Sequence, residues 1–174
     1  GEKMSKSKGN GIDPAEVTGK FGADVLRLWV ASTDYSVDVS IGDTILQRTS
    51  DAYRRFRNTF RFLLGSLSDF DSEKDAVAVA DMPPVDVWAL LRLRQVLADV
   101  EKGYDEYRFH QVFRTLYEYV ISDLSAIYMD VAKDRLYSEA PDSPARRSAQ
   151  TVLDCILDVM VRVMSPILSF TCDE

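Results

Sequence analysis

Histidine and cysteine are nearly missing from this sequence. His110 is the only histidine, and Cys155 and Cys172 are the only cysteines in 174 residues. One histidine excludes a multi-histidine metal site and leaves a histidine-based catalytic triad without support. Two cysteines are too few for a disulfide framework or a cysteine zinc site. No apolar run reaches the length of a membrane span, because Asp or Arg interrupts every long apolar stretch. The sequence shows no signal peptide, internal repeat or low-complexity tract. No Gly-x-x-x-x-Gly-Lys-Ser/Thr spacing occurs, so no Walker loop is present. The net charge of -7 argues against a broad cationic surface for nucleic acid.

What is present is unevenly distributed. Residues 1–62 carry 10 basic and 8 acidic side chains, and residues 63–174 carry 11 basic and 20 acidic. The chain starts with Gly1 and ends just after the apolar stretch Met160–Phe170. Both ends fall inside informative sequence, which is expected of a segment belonging to a longer chain.

The expected fold is mainly α. Residues 1–11 are rich in Lys, Ser, Gly and Asn and read as a mobile loop. Asp13-Pro14 supplies an N-cap and an N1 proline, so a helix is predicted to about Phe21, where Gly22 ends it. A second helix follows from Ala23 to about Ser32. Val37, Val39 and Ile41 alternate with polar residues, which predicts one short strand. From Asp43 onward the period is helical. Tyr53, Phe56, Phe60, Leu63 and Leu67 form one stripe, and Val87, Leu90, Leu93, Leu97 and Val100 another. Val112, Leu116, Val120 and Leu124 form a third, and Val152, Ile156, Val159 and Val163 a fourth. Residues 69–84 read as a connection. Ser143-Pro144 starts the last long helix, and Pro166 is expected to end or kink it. Four amphipathic helices can close one core. Residues 1–43 are therefore read as a loop and small α/β junction, and residues 44–174 as an antiparallel helical bundle continuing beyond Glu174.

Two stretches carry chemistry. Lys3, Lys6 and Lys8 alternate with Ser5 and Ser7 and precede Gly9-Asn10. Lysine is a mobile point charge that can follow a phosphate. By composition alone such a run is a solvated basic terminus. The second stretch is Arg48, Arg54, Arg55, Arg57 and Arg61, five arginines with one Asp between positions 48 and 61. Arg54, Arg57 and Arg61 share a helix face. They can neutralise phosphates of a nucleic acid, or pair with carboxylates of an acidic bundle. Arg146 and Arg147 sit near a helix N-terminus, where the dipole disfavours cations. An acidic neighbour or RNA would relieve that cost. Trp88, Tyr104, Tyr107, Tyr117, Tyr119 and Tyr128 are expected in the core, His110 in a hydrogen bond, and Cys155 buried.

The order of residues adds a resemblance. Lys3-Met4-Ser5-Lys6-Ser7 resembles the signature loop of class I aminoacyl-tRNA synthetases. Lys8-Gly9-Asn10, Asp13-Pro14 and Phe21-Gly22-Ala23-Asp24-Val25-Leu26-Arg27-Leu28 resemble the isoleucine, valine and leucine subgroup. Trp29–Tyr35, Ser50–Thr59, Lys133-Asp134-Arg135-Leu136-Tyr137, Arg146–Leu153 and Pro166–Thr171 resemble the isoleucyl-tRNA synthetases.

The resemblance implies an isoleucine-tRNA ligase that activates isoleucine with ATP (and Mg²⁺) and transfers it to tRNA(Ile). It assigns Lys6 and Lys3 to catalysis, with Lys3, Ser5, Lys6 and Ser7 on the ATP phosphates. It turns Arg48, Arg54, Arg55, Arg57 and Arg61 into candidate tRNA contacts. Gly11 departs from the branched residue usual there. The sequence holds no His-x-Gly-His motif, no parallel-sheet catalytic core, no editing domain and no cysteine-rich zinc module. The segment alone is therefore expected to bind no cofactor and to be inactive. The implied parent is cytoplasmic, monomeric and free of membranes. The alternatives are the same segment of a valyl- or leucyl-tRNA synthetase, or a non-catalytic helical interaction module.

Overall fold

The computed structural model describes Met4, Ser7 and residues 11–174. Every regular element among them is helical: α1 (Pro14–Phe21), α2 (Ala23–Ser32), α3 (Asp43–Ser66), α4 (Ser72–Asp75), α5 (Pro84–Asp105), α6 (Phe109–Glu118), a π-helical segment (Tyr119–Tyr128), α7 (Met129–Ser138), α8 (Pro144–Met164) and α9 (Ser169–Asp173). A short 3₁₀ turn, Val79–Asp81, lies between α4 and α5.

The helix ends follow local chemistry. The Asp13 carboxylate accepts from the Ala15 N–H at 2.8 Å and caps α1, with Pro14 beside it. Gly22 takes φ +93°, a conformation that favours glycine, and its N–H donates to the Thr18 carbonyl at 2.9 Å. It closes α1 and opens α2. Ser143 precedes Pro144 at the start of α8, and α8 ends at Met164, ahead of Pro166.

The predicted strand does not form. Residues 37–41 have no regular structure, and Val37 and Val39 are exposed. Alternation supplies two faces but no ladder, and no second strand exists among the described residues to complete the hydrogen bonds. The residues just before it are held by side-chain bonds. Asp34 accepts from the Ser36 N–H and hydroxyl at 3.0 and 2.7 Å, and the Tyr35 hydroxyl donates to the Tyr107 carbonyl at 3.0 Å.

The connection at 67–83 is tied down rather than loose. Asp71 caps α4, Met82 is buried, and the Val77 N–H donates to the Thr151 hydroxyl at 3.0 Å. Helices α5 and α6 then meet at a sharp corner. Tyr107 sits there at φ +56°, unusual for a residue with a side chain. Just before it, Gly103 lets the two helices touch: a Cβ there would lie 2.7 Å from Val112 Cγ2.

Beyond that corner the backbone stays helical from Phe109 to Ser138 through the π-helical turns. Those wider turns hydrogen-bond five residues back. They stack Val120, Leu124 and Tyr128 at four-residue steps, and all three are buried. The core joins these side chains to Leu28, Phe56, Leu63, Leu93, Val100, Leu153, Ile156 and Met160. Phe56 meets Phe113 and Tyr117 edge-on, with ring centroids at 6.4 and 5.9 Å.

One charged group lies inside this core. Asp86, 0% exposed, accepts two hydrogen bonds from the Arg135 guanidinium at 2.8 Å each. It also accepts from the Tyr128 hydroxyl at 2.8 Å and the Ser148 hydroxyl at 2.5 Å. Burial pushes the Asp86 carboxyl up, but the bonds from Arg135, Ser148 and Tyr128 outweigh it and hold it below its ordinary value of 3.8. Burial pushes the Tyr128 hydroxyl well above the usual phenol range, so it stays a donor.

Two stability measurements check this packing. Gly103→Ala is expected to cost about 1–2 kcal/mol in chemical denaturation, despite alanine's better helix propensity, because Val112 is buried and must move. Asp86→Asn is expected to cost about 3–5 kcal/mol, because it leaves the Arg135 charge without its carboxylate. The Asp86 carboxyl is depressed in the folded state, so its contribution is complete above pH 3.8 and fades as pH falls through the lower folded value. The gap between wild type and Asp86→Asn should therefore close on acidification below that pH.

Candidate nucleic-acid interface

Helix α2 pins the connection between α8 and α9. Its Asp24 accepts from the Thr171 N–H at 2.7 Å, the Thr171 hydroxyl at 2.6 Å and the Phe170 N–H at 3.4 Å. One turn on, Arg27 donates to the carbonyls of Ile167 at 2.9 Å and Pro166 at 2.7 Å. The acid takes N–H groups opening α9, and the base takes carbonyls of the short connection between α8 and α9. A two-residue reader on α2 thus fixes the α8–α9 corner, and the Phe21–Leu28 stretch has a structural role.

Lys3, Ser5 and Lys6 lie outside the described residues, as does the expectation of a mobile loop for most of residues 1–11. Ser7 is described and exposed.

The arginines of α3 separate into two sets. At 3.6 residues per turn, Arg48 and Arg55 fall on one edge of the helix, and Arg54, Arg57 and Arg61 on the other. Arg57 is already engaged, with two bonds to the Glu174 carboxylate at 2.7 and 2.9 Å and one to the Tyr53 hydroxyl at 3.5 Å. The Glu174 bonds, then Tyr53, hold its guanidinium firmly charged and pull Glu174 below the usual carboxylate range. Arg54 meets Asp51 at 3.3 Å in an exposed pair. Arg48, Arg55 and Arg61 are exposed and have no ion pair or side-chain hydrogen bond among the described residues.

Two of these free cations stand at the lips of grooves. Arg55 lines one with Asn58, Val120, Ile121 and Ser125, between α3 and the π-helical segment. Arg61 lines another with Phe62, Leu136, Tyr137 and Arg146, where α3, α7 and α8 meet. Arg48 lies beside Lys20, whose amine reaches Asp43 at 3.2 Å.

Arg146 and Arg147 have found acidic neighbours. Arg146 donates to Asp69 at 2.8 Å, and Arg147 lies 3.8 Å from Asp69 and 3.4 Å from Asp75. Gln150 also donates to Asp69 at 2.7 Å. Burial pushes the Asp69 carboxyl up, but Gln150, Arg146 and Arg147 bring it below its ordinary value. The dipole cost at the start of α8 is met by the 67–83 connection.

The aromatic residues divide as well. Tyr119 and Tyr128 are buried, and Phe113 stacks on Tyr117 with centroids 5.6 Å apart. Tyr104 donates to the Val163 carbonyl at 2.7 Å, and burial, aided by Cys172, pushes it up to about 12. Trp88 and Tyr107 are exposed, contrary to the expected place in the core. Tyr137, not singled out by the sequence pattern, is 72% exposed. Its place just before the turn-forming residues Glu139, Ala140, Pro141 and Asp142 is the signal that could have found it.

His110 is half-buried, and its Nδ1 has no partner among the described residues, contrary to the expected hydrogen bond. Cys155 is exposed rather than buried. Cys172 is half-covered, and burial and Asp24 push its thiol up to about 11. No group of His, Cys, Asp or Glu among the described residues could hold a metal ion, and no helix there is long and apolar enough to cross a membrane.

Known proteins share this architecture. Residues 86–174 match the family model of the anticodon-binding domain of tRNA ligases, and residues 1–42 match that of class I tRNA synthetases (I, L, M and V). Isoleucine–tRNA ligases of Desulfitobacterium hafniense, Desulforudis audaxviator and Carboxydothermus hydrogenoformans are 51%, 53% and 52% identical over all 174 residues. The chain spans about a fifth of their length, 19% in each case. The crystal structure of the ternary complex of Agrobacterium radiobacter K84 agnB2 LeuRS with tRNA and LeuAMS has the same fold, with a TM-score of 0.76, 22% identity, and coverage of 99% of this chain and 20% of that one. The buried Asp86–Arg135 network and the Asp24–Arg27 corner both involve the region matched to the anticodon-binding model, and with that match over half of its residues the chain belongs to the anticodon-binding-domain family of class I tRNA ligases.

Proposed function

We propose that this chain is the part of a cytoplasmic, monomeric isoleucine-tRNA ligase that joins the ATP-handling loop to the tRNA-binding bundle. The observation that carries this reading is identity of about half the residues, along the whole chain, to proteins named isoleucine–tRNA ligases. The likeness to a leucine enzyme rests on 22% identity and concerns the fold.

In this reading residues 1–43 are the loop and junction, and residues 44–174 the antiparallel bundle. The short connections at 106–108 and 139–143 suit neighbouring helices that reverse direction. The complete ligase activates isoleucine with ATP and Mg²⁺, then passes it to tRNA(Ile). Lys6, with Lys3, Ser5 and Ser7, stabilises charge on the departing pyrophosphate. Three lysines within residues 3–8 supply the cations that this step requires.

The tRNA backbone passes along α3 and meets both of its exposed edges. Arg48, Arg55 and Arg61 supply phosphate contacts, because nothing among the described residues neutralises them. Arg54 is weakly engaged by Asp51 and remains accessible. Arg57 contributes least, since the Glu174 carboxylate already takes two of its N–H groups.

The two halves separate kinetically in the full-length ligase. Lys6→Ala is expected to slow isoleucine-dependent ATP–pyrophosphate exchange by about a hundred- to a thousandfold, with tRNA affinity unchanged. The combined Arg48→Ala, Arg55→Ala and Arg61→Ala variant is expected to raise the KM for tRNA about tenfold and leave exchange unaltered. Unchanged exchange in the first variant, or unchanged tRNA KM in the second, contradicts the corresponding assignment.

A further inference from the structure

The chain holds five methionines, and burial separates one from the rest. Met82 and Met129 are 9% exposed, and Met160 and Met164 are 1% exposed, all four within the helical core. Met4 is 50% exposed. It stands between Lys3 and Ser5, inside the run that carries the loop's lysines. The described residues include all five methionines, and Met4 alone is open to a small oxidant in solution. Oxidation of a thioether follows access to its sulfur, which needs no deprotonation to react.

The two cysteines are the competing targets. A cysteine reacts as its thiolate. Burial, with Asp154 and Asp158 nearby, pushes the Cys155 thiol up. Burial and Asp24 push that of Cys172 up to about 11. Both are therefore held protonated near neutral pH, and neither lies in the lysine run.

We propose that Met4 is a reversible oxidation site through which hydroperoxides turn down the ATP-handling loop. A lone pair of the Met4 sulfur attacks one oxygen of the hydroperoxide. An S–O bond forms and the O–O bond breaks. Sulfur gives up two electrons, and hydrogen peroxide is reduced to water. The product, methionine sulfoxide, is polar and carries a strong hydrogen-bond acceptor. A methionine sulfoxide reductase reverses the step: two thiols become a disulfide, and the oxygen departs as water. The consequence for activity rests on the ligase reading above. Lys3, Ser5 and Lys6 are donors assigned there to phosphate oxygens, and a sulfoxide oxygen in the same run competes for them. Loop closure takes groups out of water, which suits a thioether and penalises a sulfoxide. Met4 is not part of the core, so its oxidation leaves the fold intact, unlike that of Met160 or Met164.

The test uses the full-length ligase, treated briefly with dilute hydrogen peroxide. Peptide mass spectrometry follows each methionine, isoleucine-dependent ATP–pyrophosphate exchange follows activity, and circular dichroism melting checks the fold. Met4 should be oxidised well ahead of Met82, Met129, Met160 and Met164. Exchange should fall about tenfold as Met4 is converted, short of the roughly hundredfold expected when a phosphate donor is removed outright. Methionine sulfoxide reductases acting on both sulfur epimers should restore it, and dithiothreitol, which reverses cysteine oxidation only, should not. Met4→Leu should keep its own untreated rate through the same treatment. Met4→Gln, polar from the outset, should be slow without peroxide. Oxidation of Met4 no faster than that of the four buried methionines, or equal loss of exchange in Met4→Leu, overturns the inference and leaves the ligase reading standing. Complete oxidation of Met4 with exchange unchanged does the same. If untreated wild type shows no isoleucine-dependent exchange, the ligase reading fails, and the control of activity through Met4 fails with it.

Discussion

A single buried carboxylate organises the helical core. Asp86 on α5 holds Arg135 of α7, Tyr128 at the end of the π-helical segment and Ser148 of α8 through four hydrogen bonds. A charge taken out of water is costly unless it is paired and its remaining lone pairs are satisfied. Here both carboxylate oxygens are used, and the arginine approaches them as a fork. The arrangement is directional in a way that apolar packing is not. It fixes the rotation of α7 about its axis, and with it the position of Leu136 and Tyr137. It also fixes the start of α8, where Arg146 and Arg147 turn toward Asp69 and Asp75. The cleft between α3, α7 and α8 therefore depends on a residue that does not line it.

The same logic governs the surface charge. Arg92 is matched by Asp123, Arg114 by Glu118, Arg162 by Asp158, and Arg147 by Asp75. Arg27 gives its donors to backbone carbonyls. Among the described residues the arginines left with no ion pair or side-chain hydrogen bond are Arg48, Arg55 and Arg61 on α3, and Arg94 on α5. A chain of net charge -7 can thus present a few separate exposed cations on both edges of α3 while most of its other arginines are neutralised locally. The total charge excludes a broad basic face and leaves those separate cations available.

Local chemistry was legible where one or two residues decide the outcome. Asp13-Pro14, Gly22, Ser143-Pro144 and Pro166 each mark a helix boundary that the structure places as read. The mainly helical fold was also legible, because four apolar stripes repeat at helical spacing. The strand at Val37–Ile41 was misread, since a period of two says nothing about whether a partner strand exists. Cys155 was misread because it neighbours Ile156 in sequence, while one residue along a helix is a rotation of about 100°. That rotation carries it out of the buried stripe of Val152, Ile156 and Met160. The π-helical turns left no mark in the apolar spacing, as steps of four suit both helix types. For the arginines the sequence offered phosphate or carboxylate partners. Only the fold brings Asp69 and Asp75 to Arg146 and Arg147, and Glu174 to Arg57.

The central claim is that an acidic bundle binds tRNA through a few free arginines on α3. The most direct measurement is the affinity of the 174-residue chain for isoleucine tRNA as a function of salt. Each neutralised phosphate lowers the slope of log K against log salt by a little under one. Contacts from Arg48, Arg55 and Arg61 predict a slope of about -3. A flat dependence, or affinity that rises as salt screens the net negative charge, contradicts the account.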